Sequence, residues 1–192
     1  MKNKINNEIT KIKKELYLKE SIEYFDKKGY KNSKISEIAT KLDTSVGTIY
    51  NIFKSKEGLY LEYLIFKLKV FLYKVLSEKS EDPMSNLAIY LKYKYEIITQ
   101  IDKSSISDKI KDPYFFHKLD IESHPVVLEI HSFIEKQFKA LEIESCYSHG
   151  HLAILFKKYS DGFIENYMIE PFNTDNIIEN TIEMFLDGVI KK

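Results

Sequence analysis

The 192-residue sequence predicts an all-α fold, and three observations carry that expectation. Gly and Pro are few, 6 and 4, and they fall at segment boundaries, which leaves long stretches free of helix breakers. Within those stretches apolar residues recur at three- and four-residue spacing, the mark of a helix with one buried stripe. Strict apolar–polar alternation bounded by turn dipeptides, which would mark strands, is hard to find.

The elements follow in order. From Ile9 to Lys28, the residues Ile12, Leu16, Leu18, Ile22 and Phe25 keep helical spacing, and Gly29 stands where a helix C-terminal glycine belongs. Ser33 is placed to cap a short helix carrying Ile35, Ile38, Ala39 and Leu42. Asp43-Thr44-Ser45 reads as a turn, with Ser45 capping a second short helix from Val46 to Phe53. After Lys54-Ser55-Lys56 an unbroken run to Lys79 holds Leu59, Tyr63, Phe66, Val70, Tyr73 and Leu76 on one stripe. Beyond Pro83 come helical segments at about 84–101, 113–119, 124–142, 148–169 and 174–190, parted by Pro113, Pro125, the 145–148 stretch and Pro171. No internal repeat or low-complexity linker interrupts them.

Composition narrows the class. With 44% hydrophobic and 30% charged residues the chain reads as globular. No window approaches the roughly 18 uninterrupted apolar residues of a membrane span. The N-terminus MKNKINNEITKIKKE is too polar for a secretory signal. One cysteine, Cys146, excludes a disulfide framework and a Cys-type zinc site, so the expected setting is cytoplasmic. The formal charge is zero, which alone argues against a polyanion partner. Split along the chain, however, residues 1–79 hold 17 Lys against 10 acids and residues 80–192 hold 12 against 19, a net +7 against −7. Such asymmetry suggests that one part meets a polyanion and the other does something else. Lys and Ile together make 55 residues, Arg is absent and Ala numbers four, a bias that fits AT-rich coding. Coding bias accounts for part of the Lys count but not for the shift of acids to the other half.

Ser33 to Phe53 is the informative stretch. Two helices of about two turns joined by three or four residues match helix-turn-helix geometry. Ile38, Ala39 and Leu42 point inward from the first, and Val46 or Ile49 from the second, with Tyr50 and Phe53 one turn on. Ala39 suits a close helix crossing. The outer residues Ser45, Gly47, Thr48 and Asn51 are small or polar and can approach base edges, Asn pairing bidentately with adenine. An ordinary helical hairpin with a polar outer face is the competing reading.

Gly29-Tyr30, Ile38-Ala39, Ser45-Val46-Gly47-Thr48-Ile49-Tyr50 and Phe53-Lys54-Ser55-Lys56-Glu57-Gly58-Leu59 together resemble the tetracycline-repressor (TetR-like) family of transcriptional regulators. The resemblance covers about residues 16–64 and rests on several fixed spacings at once. Four positions depart from the family pattern: Asp43 replaces a turn glycine, Thr44 a valine, Ile52 a polar aromatic and Ser21 an alanine. Asp tolerates the left-handed conformation, so the turn survives.

The resemblance implies a three-helix helix-turn-helix DNA-binding unit at 1–55, followed by a larger helical ligand-binding and dimerisation domain at 56–192. It assigns Thr48, Tyr50 and Lys56 to phosphate positioning, the last at the N-terminus of the long helix where amides favour an anion. Ser45, Val46, Gly47, Ile49 and Asn51 line the recognition helix, with Ser33 at the start of the helix before it. The partners implied are a palindromic double-stranded DNA operator, a small-molecule effector and a second copy of the chain, with no membrane. The last two long helices would pair across a two-fold axis through Ile154, Leu155, Tyr159, Phe163, Ile178, Ile182 and Phe185. Packing of these residues within one subunit is the open alternative.

Tyr90, Tyr93, Tyr95, Tyr114, Phe115 and Phe116, with His117 beside them, are the pocket candidates, though aromatics are more often core. A Tyr- and Phe-lined pocket suits a hydrophobic or cationic ligand. The five histidines lack the three- or four-residue spacing of a helical metal pair, so no metal and no cofactor are expected. No nucleophile, phosphate-loop or dinucleotide fingerprint appears, which argues against an enzyme. The reading is a ligand-responsive transcriptional regulator that acts as a repressor. The alternative is a helical protein-interaction module that never meets DNA.

Overall fold

The structure, a computed structural model, describes the backbone of residues 2–100 and 123–190. Among the described residues there are eight helices and no strand. They are α1 (Lys2–Asn32), α2 (Ile35–Lys41), α3 (Val46–Phe53), α4 (Lys56–Ser77), α5 (Pro83–Gln100), α6 (Pro125–Ala140), α7 (His149–Ile169) and α8 (Ile177–Val189). The expected segment 113–119, with Tyr114, Phe115, Phe116 and His117, lies outside the described residues. No described helix is long and apolar enough to cross a membrane.

The chain forms two compact units, Met1–Lys67 and Leu68–Lys192. The core of the first is Tyr17, Phe25, Ile35, Ile38, Ala39, Ile49, Phe53, Leu59 and Tyr63. Each of the fully buried aliphatics Ile38, Ile49 and Leu59 contributes roughly 1.5–3 kcal/mol by leaving water. Leu59 and Tyr63 belong to α4, which is why this unit runs past the 55/56 division read from sequence and takes in the first turns of that helix. Phe25 meets the Tyr60 ring edge-on at 4.9 Å, and the Tyr63 hydroxyl donates to Asp26 at 2.7 Å.

Gly29 adopts φ 67° and ψ 177°, an extended positive-φ conformation open essentially to glycine alone, and breaks α1. That break turns Ser33 inward, where its hydroxyl donates to the Gly29 carbonyl at 2.7 Å. Ser33 therefore does not cap α2. The cap position is Lys34, whose side chain makes no capping bond.

In the second unit α5, α6, α7 and α8 pack around Leu87, Tyr90, Leu91, Ile134, Phe138, Leu152, Phe156 and Phe185. The rings of Phe138, Phe156 and Phe185 lie 5.0–5.8 Å apart. Buried polar pairs cross between helices: Asn86 donates to Gln137 at 2.9 Å, and the Tyr95 and Thr181 hydroxyls meet at 3.0 Å. Ile182 and Phe185, expected at a subunit interface, are buried in this core instead, while Tyr159, Phe163 and Ile178 pack half-buried on it. Helical spacing marks a buried stripe without saying which chain covers it. Ile154 and Leu155 stay exposed.

Candidate nucleic-acid interface

Helix α2 is fastened to α1 by charge pairs. Lys28 meets Glu37 at 2.5 Å, and Lys41 reaches Glu20 at 3.2 Å and also bonds Glu23. Hydrogen bonds from Lys27 and then Lys41 hold the Glu23 carboxyl down at about 2. These pairs are exposed, so they fix register more than they add stability.

The turn into α3 forms as the sequence dictates. Asp43 takes φ 47°, the left-handed conformation that a short polar side chain tolerates. The Thr44 N–H donates to the Ala39 carbonyl at 3.0 Å, and the Tyr17 hydroxyl reaches Thr44 Oγ1 at 3.3 Å. Ser45 caps α3: its Oγ accepts the Thr48 N–H at 3.1 Å and lies 2.9 Å from Thr48 Oγ1.

Helix α3 divides cleanly. Ile49 and Phe53 are buried, Val46, Thr48 and Ile52 are half-buried, and Ser45, Gly47, Tyr50 and Asn51 are exposed. A Cβ at Gly47 would meet nothing closer than Ser45 Oγ at 3.6 Å, so packing does not require glycine there. The missing side chain leaves that flank of the helix low. Tyr50 is 41% exposed, and the Asn51 carboxamide bonds to no described residue. Seven of the nine sequence-expected positions thus sit on the exposed or half-exposed side of the unit. Ser33 and Ile49 do not: one is held against the α1 break and the other fills the core between α1, α2 and α3. Sequence spacing allowed Ile49 either role, and burial decides it.

The α3–α4 junction is tight. Lys54 takes φ 70°, its N–H donates to the Tyr50 carbonyl at 2.8 Å, and its ammonium donates to the Asn51 carbonyl at 3.0 Å. Ser55 Oγ accepts the Gly58 N–H at 3.0 Å. Lys56 opens α4 as expected, but its ammonium lies 4.5 Å from the Tyr30 ring centroid and 3.4 Å from the Lys31 carbonyl. Partial burial lowers its pKa. The Tyr30 hydroxyl donates to Glu57 at 2.6 Å, which bridges α1 to α4 once more. The result is a low, polar helix face with a serine cap at one end and Lys54 and Lys56 at the other. Such a face can offer hydroxyl and carboxamide groups to base edges and ammonium groups to phosphates.

Of the expected ligand residues, Phe115, Phe116 and His117 lie outside the described residues, and Tyr90 and Tyr93 are placed differently from one another. Tyr90 is 2% exposed, with its ring 5.7 Å from Phe71 and 6.0 Å from Phe156, and Lys94 donates to its hydroxyl at 3.1 Å. Tyr93 is half-exposed, bonded to Glu78 and flanked by Lys74 and Lys92 at 5.2 and 4.9 Å from its centroid. A separate concavity of about 370 Å³ is lined, among the described residues, by Leu128, His131, Glu135, His151 and Ile154 together with neighbouring polar residues, and not by Tyr90, Tyr93 or Tyr95. Among the described residues no group of three or more His, Cys, Asp or Glu could hold a metal ion.

Sequence reasoning missed Lys94. Its ammonium, 9% exposed, contacts Asp161 Oδ1 at 2.7 Å, the Ser160 hydroxyl at 2.6 Å and the Lys157 carbonyl at 2.8 Å, tying α5 to α7. Burial lowers the Lys94 pKa more than Asp161 raises it. Burial also pushes the Asp161 carboxyl up, but the Lys94 and Lys157 charges outweigh that and hold it down. The sequence offered little signal, because Lys94 is one of two lysines, with Lys92, between Leu91 and Tyr95.

Comparison with known proteins agrees with this geometry. Residues 18–63 match the family profile described as "Bacterial regulatory proteins, tetR family". The chain is 24% identical over 195 aligned positions to YuxN, an uncharacterized HTH-type transcriptional regulator of Bacillus subtilis (strain 168); the match covers 95% of this chain and 66% of that protein's length. Among solved structures, Thermus thermophilus FadR, a TetR-family transcriptional repressor in complex with lauroyl-CoA, superposes with TM-score 0.64 at 18% identity, covering 93% of this chain and 96% of that one. Bacillus subtilis FadR in complex with stearoyl-CoA superposes with TM-score 0.63 at 15% identity, covering 90% and 97%. At these identities the structural likeness speaks to the fold alone.

Proposed function

Since the chain is a TetR-family transcriptional regulator, its helix-turn-helix unit matching that family over residues 18–63, we propose that it is a ligand-responsive repressor that binds a two-fold-symmetric operator as a dimer. The observation that carries the DNA reading is α3 itself: a serine-capped helix with Ile49 and Phe53 inward and Ser45, Gly47, Tyr50 and Asn51 outward. Asn51 reads a base edge, Thr48 and Tyr50 position phosphates, and Lys54 and Lys56 add charge at the far end. Two such units read half-sites about one helical turn apart, ~34–36 Å. The exposed Ile154 and Leu155 on α7, with Leu128 on α6, support pairing of two copies through the second unit.

The effector is a small hydrophobic molecule held by the second unit. Acyl-CoA thioesters are the first probes, because both FadR relatives carry one. Its binding favours a helix arrangement that no longer matches the operator spacing, with α4, which contributes residues to both units, as the connecting element. The test is fluorescence anisotropy with the DNA upstream of the protein's own gene. Saturable binding is expected, weakening linearly in log–log salt plots, preferring that site over random DNA, and reversed by an acyl-CoA. Equal binding to random and native DNA at low salt would overturn the reading in favour of a protein-interaction module.

A further inference from the structure

Lysines of the first unit are held in two ways. Lys14, Lys28, Lys41 and Lys67 each pair with a carboxylate, which offsets their charge. Lys56 is held without one. Its ammonium sits 4.5 Å from the centroid of the Tyr30 ring and 3.4 Å from the Lys31 carbonyl oxygen, and among the described residues no carboxylate pairs with it. The neighbouring Glu57 is engaged elsewhere, by the Tyr30 hydroxyl at 2.6 Å. That bond also fixes the ring, as does the Tyr60 ring 4.9 Å away.

An ammonium group has three N–H donors. The Lys31 carbonyl takes one and the ring face covers one side of the group, which leaves a donor for a phosphate oxygen. Neither tether carries a formal negative charge, so the positive charge of Lys56 is ordered without being neutralised. A lysine on its flexible four-carbon stem otherwise loses rotamer freedom when it docks on a phosphate. At Lys56 folding has already met part of that loss.

We propose that Tyr30 is a positioning residue for DNA binding, its ring holding the Lys56 ammonium charged and ordered at the start of α4 for a backbone phosphate. This rests on the reading of the helix-turn-helix face as a DNA contact and adds to it a residue of α1 that acts through Lys56.

A double-mutant cycle in the full-length chain tests it, read by fluorescence anisotropy on a random-sequence duplex at low salt, where phosphate contacts dominate. Lys56→Ala is expected to weaken binding and to lower the log–log salt slope by about 1 per DNA-binding unit. Tyr30→Leu, which removes the ring and keeps Lys56, is expected to weaken binding about three- to tenfold per unit with the slope unchanged. In the Lys56→Ala background the same Tyr30→Leu change should cost less than about twofold, because no ammonium is left to hold. Tyr30→Phe, which keeps the ring and drops only the bond to Glu57, should stay within about twofold of the parent. Circular dichroism confirms that each variant is folded. Equal losses from Tyr30→Leu in both backgrounds, a Lys56→Ala variant that binds as the parent does, or a Tyr30→Phe variant as weak as Tyr30→Leu would overturn the proposal while leaving the DNA reading intact. A parent chain that binds no DNA would remove both.

Discussion

Replacing Gly58 with Ala tests how tightly α3 is coupled to α4. On helix propensity alone the change should stabilise by up to about 1 kcal/mol, since Gly58 lies within α4. The geometry predicts the opposite. A Cβ at Gly58 would sit 2.1 Å from the Phe53 carbonyl oxygen and 3.3 Å from its carbon, against backbone rather than a side chain that can swing away. Relief requires the end of α3 and the start of α4 to separate by about 1 Å, and overpacking of this kind costs roughly 1–3 kcal/mol. The propensity gain leaves a net loss of about 1–2 kcal/mol. With an m-value of ~1–3 kcal/mol per molar urea, the unfolding midpoint should fall by about 0.5–1 M. The displaced helix should also weaken operator binding, because Asn51 and Tyr50 ride on α3 just before the junction. A Gly58→Ala variant equal to or more stable than the parent, with unchanged DNA affinity, would refute the coupling.

Further expectations concern individual anchors. Ser45→Ala removes the cap bond to the Thr48 N–H and should cost about 1 kcal/mol of stability, read as a lower thermal midpoint. Lys94→Ala leaves Asp161 partly buried with Lys157 as its remaining partner at 3.0 Å; because Asp161 keeps some solvent, the loss should lie near the low end of the ~3–5 kcal/mol for a broken buried pair. Replacing both Lys94 and Asp161 with apolar residues should recover much of that loss in the same urea titration. Stability should also fall in acid. Glu23, Glu37, Glu57 and Asp161 all have lowered carboxyl pKa values, so their contribution is complete above the unfolded values near 4.5 and 3.8 and is lost as pH drops toward about 2. Urea midpoints at pH 7, 5 and 3 should stay level between the first two and drop at the third; a midpoint that held at pH 3 would contradict it.

The parts legible in the sequence were those set by local chemistry. Gly29 and Asp43 each take a positive φ, which the missing Cβ of one and the short polar side chain of the other allow, and Ser45 caps α3 because its hydroxyl lies within reach of an N–H three residues on. Ser33 looked the same locally, yet the break at Gly29 turned it inward, a consequence of chain direction rather than of residue type. Ile49 and Phe185 show the same limit in packing: spacing marks a stripe as apolar, and only the tertiary arrangement shows which surface covers it. Tyr90 read as a candidate ligand contact because aromatics line pockets; its buried ring packs against Phe71 and Phe156, a setting that spacing alone does not reveal. Lys94 stayed hidden because its partners, Asp161, Ser160 and Lys157, lie more than sixty residues away in sequence.

Asn51→Ala is the substitution that decides whether the exposed face of α3 reads DNA sequence. Affinity should be measured for the parent and the variant on the operator and on a panel with each base pair substituted in turn, across a range of salt. The variant should lose about 1–3 kcal/mol on the operator and discrimination at one base pair per half-site, with an unchanged salt slope. Retained discrimination at every position, or a uniform weakening on all sequences with a shallower salt slope, would contradict it.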